Sequence, residues 1–254
     1  MKNGIIIVIL TFAACNFLQA QEYKLAKSTG RLELKELNHV TVEGYSGSEI
    51  IFQAQQGDRE KDERAKGLRA ISNSGLEDNT GLGLSVVDKG ASFEVQQLKK
   101  MGGPELTIKV PKGITVSFSH SSPYGSDVEF KNVEGEIEIS TLHNSVVLTN
   151  VTGPMTVKTV HGNVDAVFNP AMKSPVSIVS MHGHVDVAMP VSTKADLKLS
   201  TVYGEIFVDP DFKIDMEKSG DMVKYSDRIT GKINGGGLDI ALSSTHNNIY
   251  LRKK

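Results

Sequence analysis

The chain has 254 residues, 39% of them hydrophobic, with 28 Lys and Arg against 30 Asp and Glu. A formal charge of −2 without a basic cluster excludes a nucleic-acid surface, which depends on grouped Lys and Arg. Cys15 is the only cysteine, which excludes an internal disulfide framework and a thiolate metal cluster.

Met1-Lys2-Asn3 is a short basic start, followed by the apolar run from Ile5 to Ala14. That run is too short to span a bilayer and has the length of a signal-peptide core. Leu18-Gln19-Ala20 places a small residue before Gln21, so residues 1–20 read as a removed export signal. Phe12-Ala13-Ala14-Cys15 offers a second reading, a lipoprotein signal with a lipid anchor on Cys15, although Phe12 stands where Leu is usual. No later stretch is long and apolar enough for a transmembrane span, so the sequence points to the periplasm, the outer envelope or the extracellular space.

Residues 21–112 form an N-terminal β region. Apolar residues alternate at Leu32/Leu34, Val40/Val42, Ile50/Phe52, Leu84/Val86, Phe93/Val95 and Leu106/Ile108/Val110. Turn signals separate them at Gly44-Tyr45-Ser46-Gly47, Lys89-Gly90 and Gly102-Gly103-Pro104. The mixed-charge stretch Gly57 to Arg64 has no apolar period and reads as a solvated loop or a short exposed helix. Gly81-Leu82-Gly83 and Gly235-Gly236-Gly237 lack the helix and Lys-Ser/Thr that a phosphate loop needs, so both read as tight turns.

Residues 113–254 repeat one phrase. Its turn appears as Ser140-Thr141-Leu142-His143-Asn144, Lys158-Thr159-Val160-His161-Gly162, Val179-Ser180-Met181-His182-Gly183, Ser200-Thr201-Val202-Tyr203-Gly204 and Ser243-Ser244-Thr245-His246-Asn247. A weaker copy, Ser121-Ser122-Pro123-Tyr124-Gly125, precedes them. Alternating apolar pairs flank each turn, from Ile137/Ile139 and Val146/Leu148 to Ile240/Leu242 and Ile249/Leu251. Two short strands and two turns in about 20 residues predict an all-β β-solenoid of stacked two-strand coils, because a propeller blade needs about twice that length. The N-terminal β region then caps the first coil, covering a pairing edge that would otherwise be open. The two parts read as one continuous domain. The spacing from Tyr203 to His246 is about two periods, so one unit is hidden or replaced within Phe212 to Gly237.

Three columns of the repeat carry chemistry. Asn144, Gly162, Gly183, Gly204 and Asn247 are the residue types that enter the left-handed region most readily, which predicts a structural turn with φ > 0. Thr141, Thr159, Ser180, Thr201 and Ser244 place a hydroxyl two residues before the ring, where it can satisfy open backbone groups. His143, His161, His182 and His246 share one place, with Tyr124 and Tyr203 filling in, and stacked strands about 4.8 Å apart make them a ladder. Such a ladder suits a metal such as zinc, or a planar or anionic ligand. Without a fixed acidic or Cys ligand, simple stacking over the turn is the reading the residue types favour, so no metal and no cofactor is assigned. His184 makes a His-x-His with His182 but stands in a variable column.

Asp165 and Asp186 share an outward column, the pattern a glycosidase pair would need. Outward carboxylates more often serve solubility and edge protection, and a chain with no Trp offers little stacking surface for sugars. No catalytic residue is assigned.

The handover Leu106-Thr107-Ile108-Lys109-Val110-Pro111-Lys112-Gly113, the Ser/Thr-x-x-Gly turns and the ending Ile249-Tyr250-Leu251-Arg252 resemble the bacterial adhesin-like β-strand-repeat family, the toastrack domain of unknown function. The resemblance covers most of Leu106 to Lys254 and, more loosely, Leu32 to Val95. It implies an exported β-solenoid of the cell envelope, sometimes beside membrane stress-response components, and supplies no catalytic residues. The expected function is an adhesin-like or scaffold module binding an envelope or extracellular protein, glycan or matrix component. The alternatives are an envelope-stress sensor recognising a lipid or peptide, and a carbohydrate-active enzyme. A flat polar sheet favours the first, an apolar groove the second and a deep acidic cleft the third.

Overall fold

A computed structural model describes residues 21–54, 63–216 and 228–254. The export-signal and lipid-anchor readings, the charged stretch from Gly57 to Asp62 and residues 217–227 of the span that replaces a unit lie outside the described residues. Strands β1 (Gln21–Leu25), β2 (Thr29–Lys35), β3 (Val40–Tyr45) and β4 (Ile50–Ala54) come first, and a single 3-10 turn follows at Glu63–Ala65. Then come β5 (Leu84–Asp88), β6 (Ser92–Gln97) and β7 (Leu106–Pro111). The repeats supply β8 (Gly113–His120), β9 (Val128–Lys131), β10 (Ile137–Thr141), β11 (Val146–Thr149), β12 (Met155–Thr159), β13 (Val164–Val167), β14 (Val176–Ser180) and β15 (Val185–Met189). The chain ends with β16 (Ala195–Thr201), β17 (Ile206–Val208), β18 (Ile214–Met216), β19 (Arg228–Ile233), β20 (Leu238–Ser244) and β21 (Ile249–Lys253).

These strands make two facing sheets because each repeat gives one strand to each. One sheet runs β1-β4-β7-β3-β9-β11-β13-β15-β21-β17 and the other β18-β19-β16-β20-β14-β12-β10-β8-β2-β6-β5. Pairing between neighbouring coils is parallel and in register, so like residues stack on like. Ile137, Met155, Val176, Ile240 and Leu197 form one inward row, and Val146, Val164, Val185, Ile249 and Ile206 face them from the other sheet. Burying each such side chain contributes about 1.5–3 kcal/mol, and alternation leaves every second residue to solvent. The N-terminal apolar pairs face inward in the same way, and Phe52, Phe118, Phe130 and Phe168 are fully buried.

Chain order and spatial order part at both ends. The coils stack as β6/β7, β2/β3, β8/β9, β10/β11, β12/β13, β14/β15, β20/β21 and β16/β17. Each chain end therefore inserts one coil short of the end of the stack. Antiparallel strands then close the ends: β5 beside β6, β4 and β1 beyond β7, and β19 and β18 beyond β16. Residues 212–237 hold no further coil among the described residues; β18 and β19 replace it, which frees β20 and β21 to enter the stack between its neighbours. On the outer faces, Arg31 on β2 reaches across β8 to Glu138 on β10 (2.9 Å), and this contact holds the Glu138 carboxyl below the usual range.

Candidate functional site

The repeated turns form one long edge of the stack, and a buried row of hydroxyls holds it. Thr141, Thr159, Ser180, Thr201 and Ser244 are all buried. The Gly183 N–H donates to Ser180 Oγ (2.9 Å), whose hydroxyl donates to Gly162 O of the preceding coil (3.1 Å). Ser244 repeats this, donating to Gly183 O (2.9 Å) and accepting from Asn247 N (3.1 Å). Thr201 donates to Asn247 O (3.1 Å) and accepts from Gly204 N (3.0 Å). In the first two copies, Thr141 and Thr159 donate instead to the carbonyl of their own turn, at Asn144 and Gly162. A side chain is needed here because tight corners leave backbone groups that the ladders cannot reach.

The expected left-handed turn is not what requires Gly and Asn in the next column. Asn144, Gly162, Gly183, Gly204 and Asn247 all stand outside the residues with positive φ. The left-handed residues Asn132 (φ 54°) and Asn150 (φ 54°) instead follow β9 and β11, at the opposite corner of the coil. What the turn column requires is closeness. A Cβ on Gly162 would lie 1.9 Å from Asn144 O, one on Gly183 2.1 Å from Gly162 O, and one on Gly204 2.1 Å from Asn247 O. Where Asn stands instead of Gly, its amide bonds the neighbouring coil one residue away from that place: Asn144 Nδ2 donates to Ser126 O, and Asn247 Nδ2 donates to His182 O (3.3 Å).

Outside this row the rings stack. Ring centres are 5.2 Å apart from His143 to His161, 4.9 Å from His161 to His182, 4.6 Å from His182 to His246 and 5.0 Å from His246 to Tyr203. His246, last in sequence, stands before Tyr203 because its coil inserts between β14/β15 and β16/β17. Tyr124 takes no part in the stack, since its turn carries extra residues including Pro123. All five rings are exposed, Tyr203 at 74%. The planes of neighbouring rings lie within 25° of one another, and no group of three or more His, Cys, Asp or Glu among the described residues is placed to hold a metal ion.

One feature of this edge escaped the sequence reading. His120 pairs in register with Thr141 and so occupies the hydroxyl column of its own coil, 2% exposed. Its Nε2 lies 3.0 Å from Asn38 Oδ1, and Asn38 N in turn donates to Gln97 Oε1 (3.0 Å). Burial pushes the His120 imidazole below its ordinary value, opposed by the Glu36 carboxylate and by Asn144. His120 Nδ1 and Asn144 Oδ1 are buried without a partner among the described residues. Aligning Phe118 with Ile139 in the sequence would have put His120 opposite Thr141.

Asp165 and Asp186 are register partners on the open face of the first sheet. Each is already engaged: His184 Nε2 lies 3.0 Å from Asp165 Oδ1, and Arg252 Nε contacts both Asp186 oxygens at 2.8 Å. Arg252 also lies over the Tyr250 ring (5.0 Å), which stacks on Phe207 (5.3 Å). His184 is thereby tied to the sheet face and stands apart from the ring stack. A depression of about 390 Å³ at His39, Glu105, Asp127 and Glu129 lies on the same sheet, over β7, β3, β9 and β11.

The Toastrack DUF4097 family profile matches residues 19–252. No curated protein matches the chain. A solved structure described as a "putative cell adhesion protein" from Clostridium sporogenes is 14% identical, covering 93% of this chain and 100% of its own, with a TM-score of 0.45. A second, described as a "putative adhesin" from Bacteroides fragilis, is 9% identical, covering 94% of this chain and 98% of its own, with a TM-score of 0.31.

Proposed function

Because the chain belongs to the Toastrack DUF4097 family, whose profile covers nearly all of it, we propose that it is an adhesin-like or scaffold binding module rather than an enzyme. The observation that carries this reading is the pair of broad sheets, ten and eleven strands wide, whose outer faces present regular rows of polar and charged side chains. Flat, repetitive faces suit contact with an extended surface such as a glycan, a matrix component or another envelope protein. The only carboxylate pair singled out for catalysis, Asp165 and Asp186, lies on an open face with both members held by neighbouring side chains. The basic-apolar start of the sequence supports export to the envelope as part of the same proposal, and no helix among the described residues is long and apolar enough to cross a membrane.

The test is a binding panel of purified glycans and matrix proteins against the untagged protein, with fractionation of cells to locate it. Saturable binding without product, by protein recovered from the envelope or medium, is the expected result. Release of reducing sugar that disappears in Asp165→Asn/Asp186→Asn would overturn it in favour of a carbohydrate-active enzyme.

A further inference from the structure

We propose that the stacked imidazoles of His182 and His246 are a binding site for a divalent transition-metal ion. The site lies on the turn edge and is independent of the face-binding reading.

Spacing points to a shared ion. When two imidazoles share one ion, metal–nitrogen bonds of about 2.0–2.1 Å place the ring centres roughly 4.5 Å apart at a right angle and roughly 5.2 Å apart at the tetrahedral angle. The three steps of the ladder measure 5.2, 4.9 and 4.6 Å. The coils therefore already hold neighbouring rings at the separation that a shared ion imposes. What a bound ion requires is rotation of the His182 ring about its own side-chain bonds, so that one of its nitrogens converges on Nε2 of His246. The His182–His246 pair has the shortest step and is splayed by 25°, against 7° for His161–His182. Both rings are exposed, so this rotation disturbs no interior packing.

The proton on His246 points the same way. His246 Nδ1 lies 3.1 Å from the backbone carbonyl of Met181 on the next coil. A carbonyl only accepts, so Nδ1 carries the hydrogen and Nε2 keeps its lone pair. A ring nitrogen donating to a backbone carbonyl is the usual outer support of a metal-bound histidine: it fixes the tautomer and makes the other nitrogen a better ligand.

The class of ion follows from the donors. Two imidazoles, with water completing the coordination, suit Cu²⁺, Ni²⁺ or Zn²⁺. Mg²⁺ and Ca²⁺ require oxygen ligands, which the ladder does not offer.

The experiment is a calorimetric titration of the untagged, EDTA-treated protein with Zn²⁺ at pH 7.5, and in parallel with Mg²⁺. Wild type is expected to bind one Zn²⁺ saturably and to give no heat with Mg²⁺. His182→Gln/His246→Gln is expected to bind at least tenfold more weakly, while His39→Gln/His184→Gln binds as wild type does. Absence of saturable Zn²⁺ binding to wild type, or unchanged binding to the His182/His246 variant, would overturn the proposal. Ni²⁺-induced broadening of the wild-type imidazole resonances gives a readout without any variant. Selective loss of the His182 and His246 signals supports the site, and selective loss of His39 and His184 signals refutes it.

Discussion

Substituting Gly183 by Ala tests whether closeness or backbone conformation fixes the turn column. The added methyl would sit 2.1 Å from Gly162 O, 2.5 Å from Gly162 C and 2.8 Å from Asn163 N, all backbone atoms of the preceding coil. Ordinary contact needs about 3.4 Å or more, so the coils must part locally by over an ångström. That opening acts on the bonds crossing the same edge, His182 N to Val160 O (2.8 Å) and Ser180 Oγ to Gly162 O (3.1 Å). Overpacking costs about 1–3 kcal/mol, and each of the two weakened bonds adds about 1 kcal/mol, for a total of roughly 3–5 kcal/mol. Gly90 supplies the contrast: it has φ +82° with nothing within 4 Å of an added Cβ, so Gly90→Ala pays only the left-handed penalty of about 1–2 kcal/mol. Equilibrium urea denaturation of the two variants measures the difference. If Gly183→Ala were no more costly than Gly90→Ala, the close approach of coils would not be what keeps a side chain out of this column.

Ile178 is fully buried between sheets while Ser177 faces outward, so Ile178→Asp is expected to prevent folding or cost more than about 4 kcal/mol, and Ser177→Asp less than about 1 kcal/mol; solubility and urea midpoints report both. Ser180→Ala removes the partner of Gly183 N and the donor to Gly162 O, and is expected to cost about 1–3 kcal/mol in the same assay. Burial lowers the affinity of His120 for protons in the folded state, so the unfolded chain takes up a proton first as pH falls. The stability owed to neutral His120 is fully present above the unfolded value of about 6.5 and is lost as pH drops from there through the folded value. Urea midpoints between pH 7.5 and 5.5 should therefore fall further for wild type than for His120→Gln, and parallel curves would contradict the assignment.

Much of the fold was legible because period-two alternation maps directly onto inside and outside. Every N-terminal apolar pair from Leu32/Leu34 to Leu106/Ile108 is buried, as are the repeat pairs up to Ile249/Leu251, except Ile206 and Val208. Those two belong to the last coil, where no further strand of their sheet covers them. The ring stack was legible for the same reason: a repeat residue recurs once per coil. Spatial order was not. The parallel rows are so alike that Leu197 would suit the place beside Val176 as well as Ile240 does, and the alternation alone does not choose between them. The turn column was misread because Gly serves two ends, positive φ and close approach, and its letter does not tell which. The His120 site was hidden by the irregular copy around Pro123, where the columns lose their spacing.

The interleaved coil order is tested most directly by cysteine pairs on the outer face of the second sheet, in a Cys15→Ser background. Ser177 on β14 is register partner to Ala241 on β20, and Ala241 in turn to Lys198 on β16. Adjacent strands lie about 4.8 Å apart, within disulfide reach, whereas strands two apart are separated by roughly twice that and are not. Under mild oxidation, Ser177→Cys/Ala241→Cys and Ala241→Cys/Lys198→Cys are predicted to form intramolecular disulfides, and Ser177→Cys/Lys198→Cys to remain reduced. A disulfide between positions 177 and 198, with none between 177 and 241, would mean that the coils stack in chain order and would contradict the architecture.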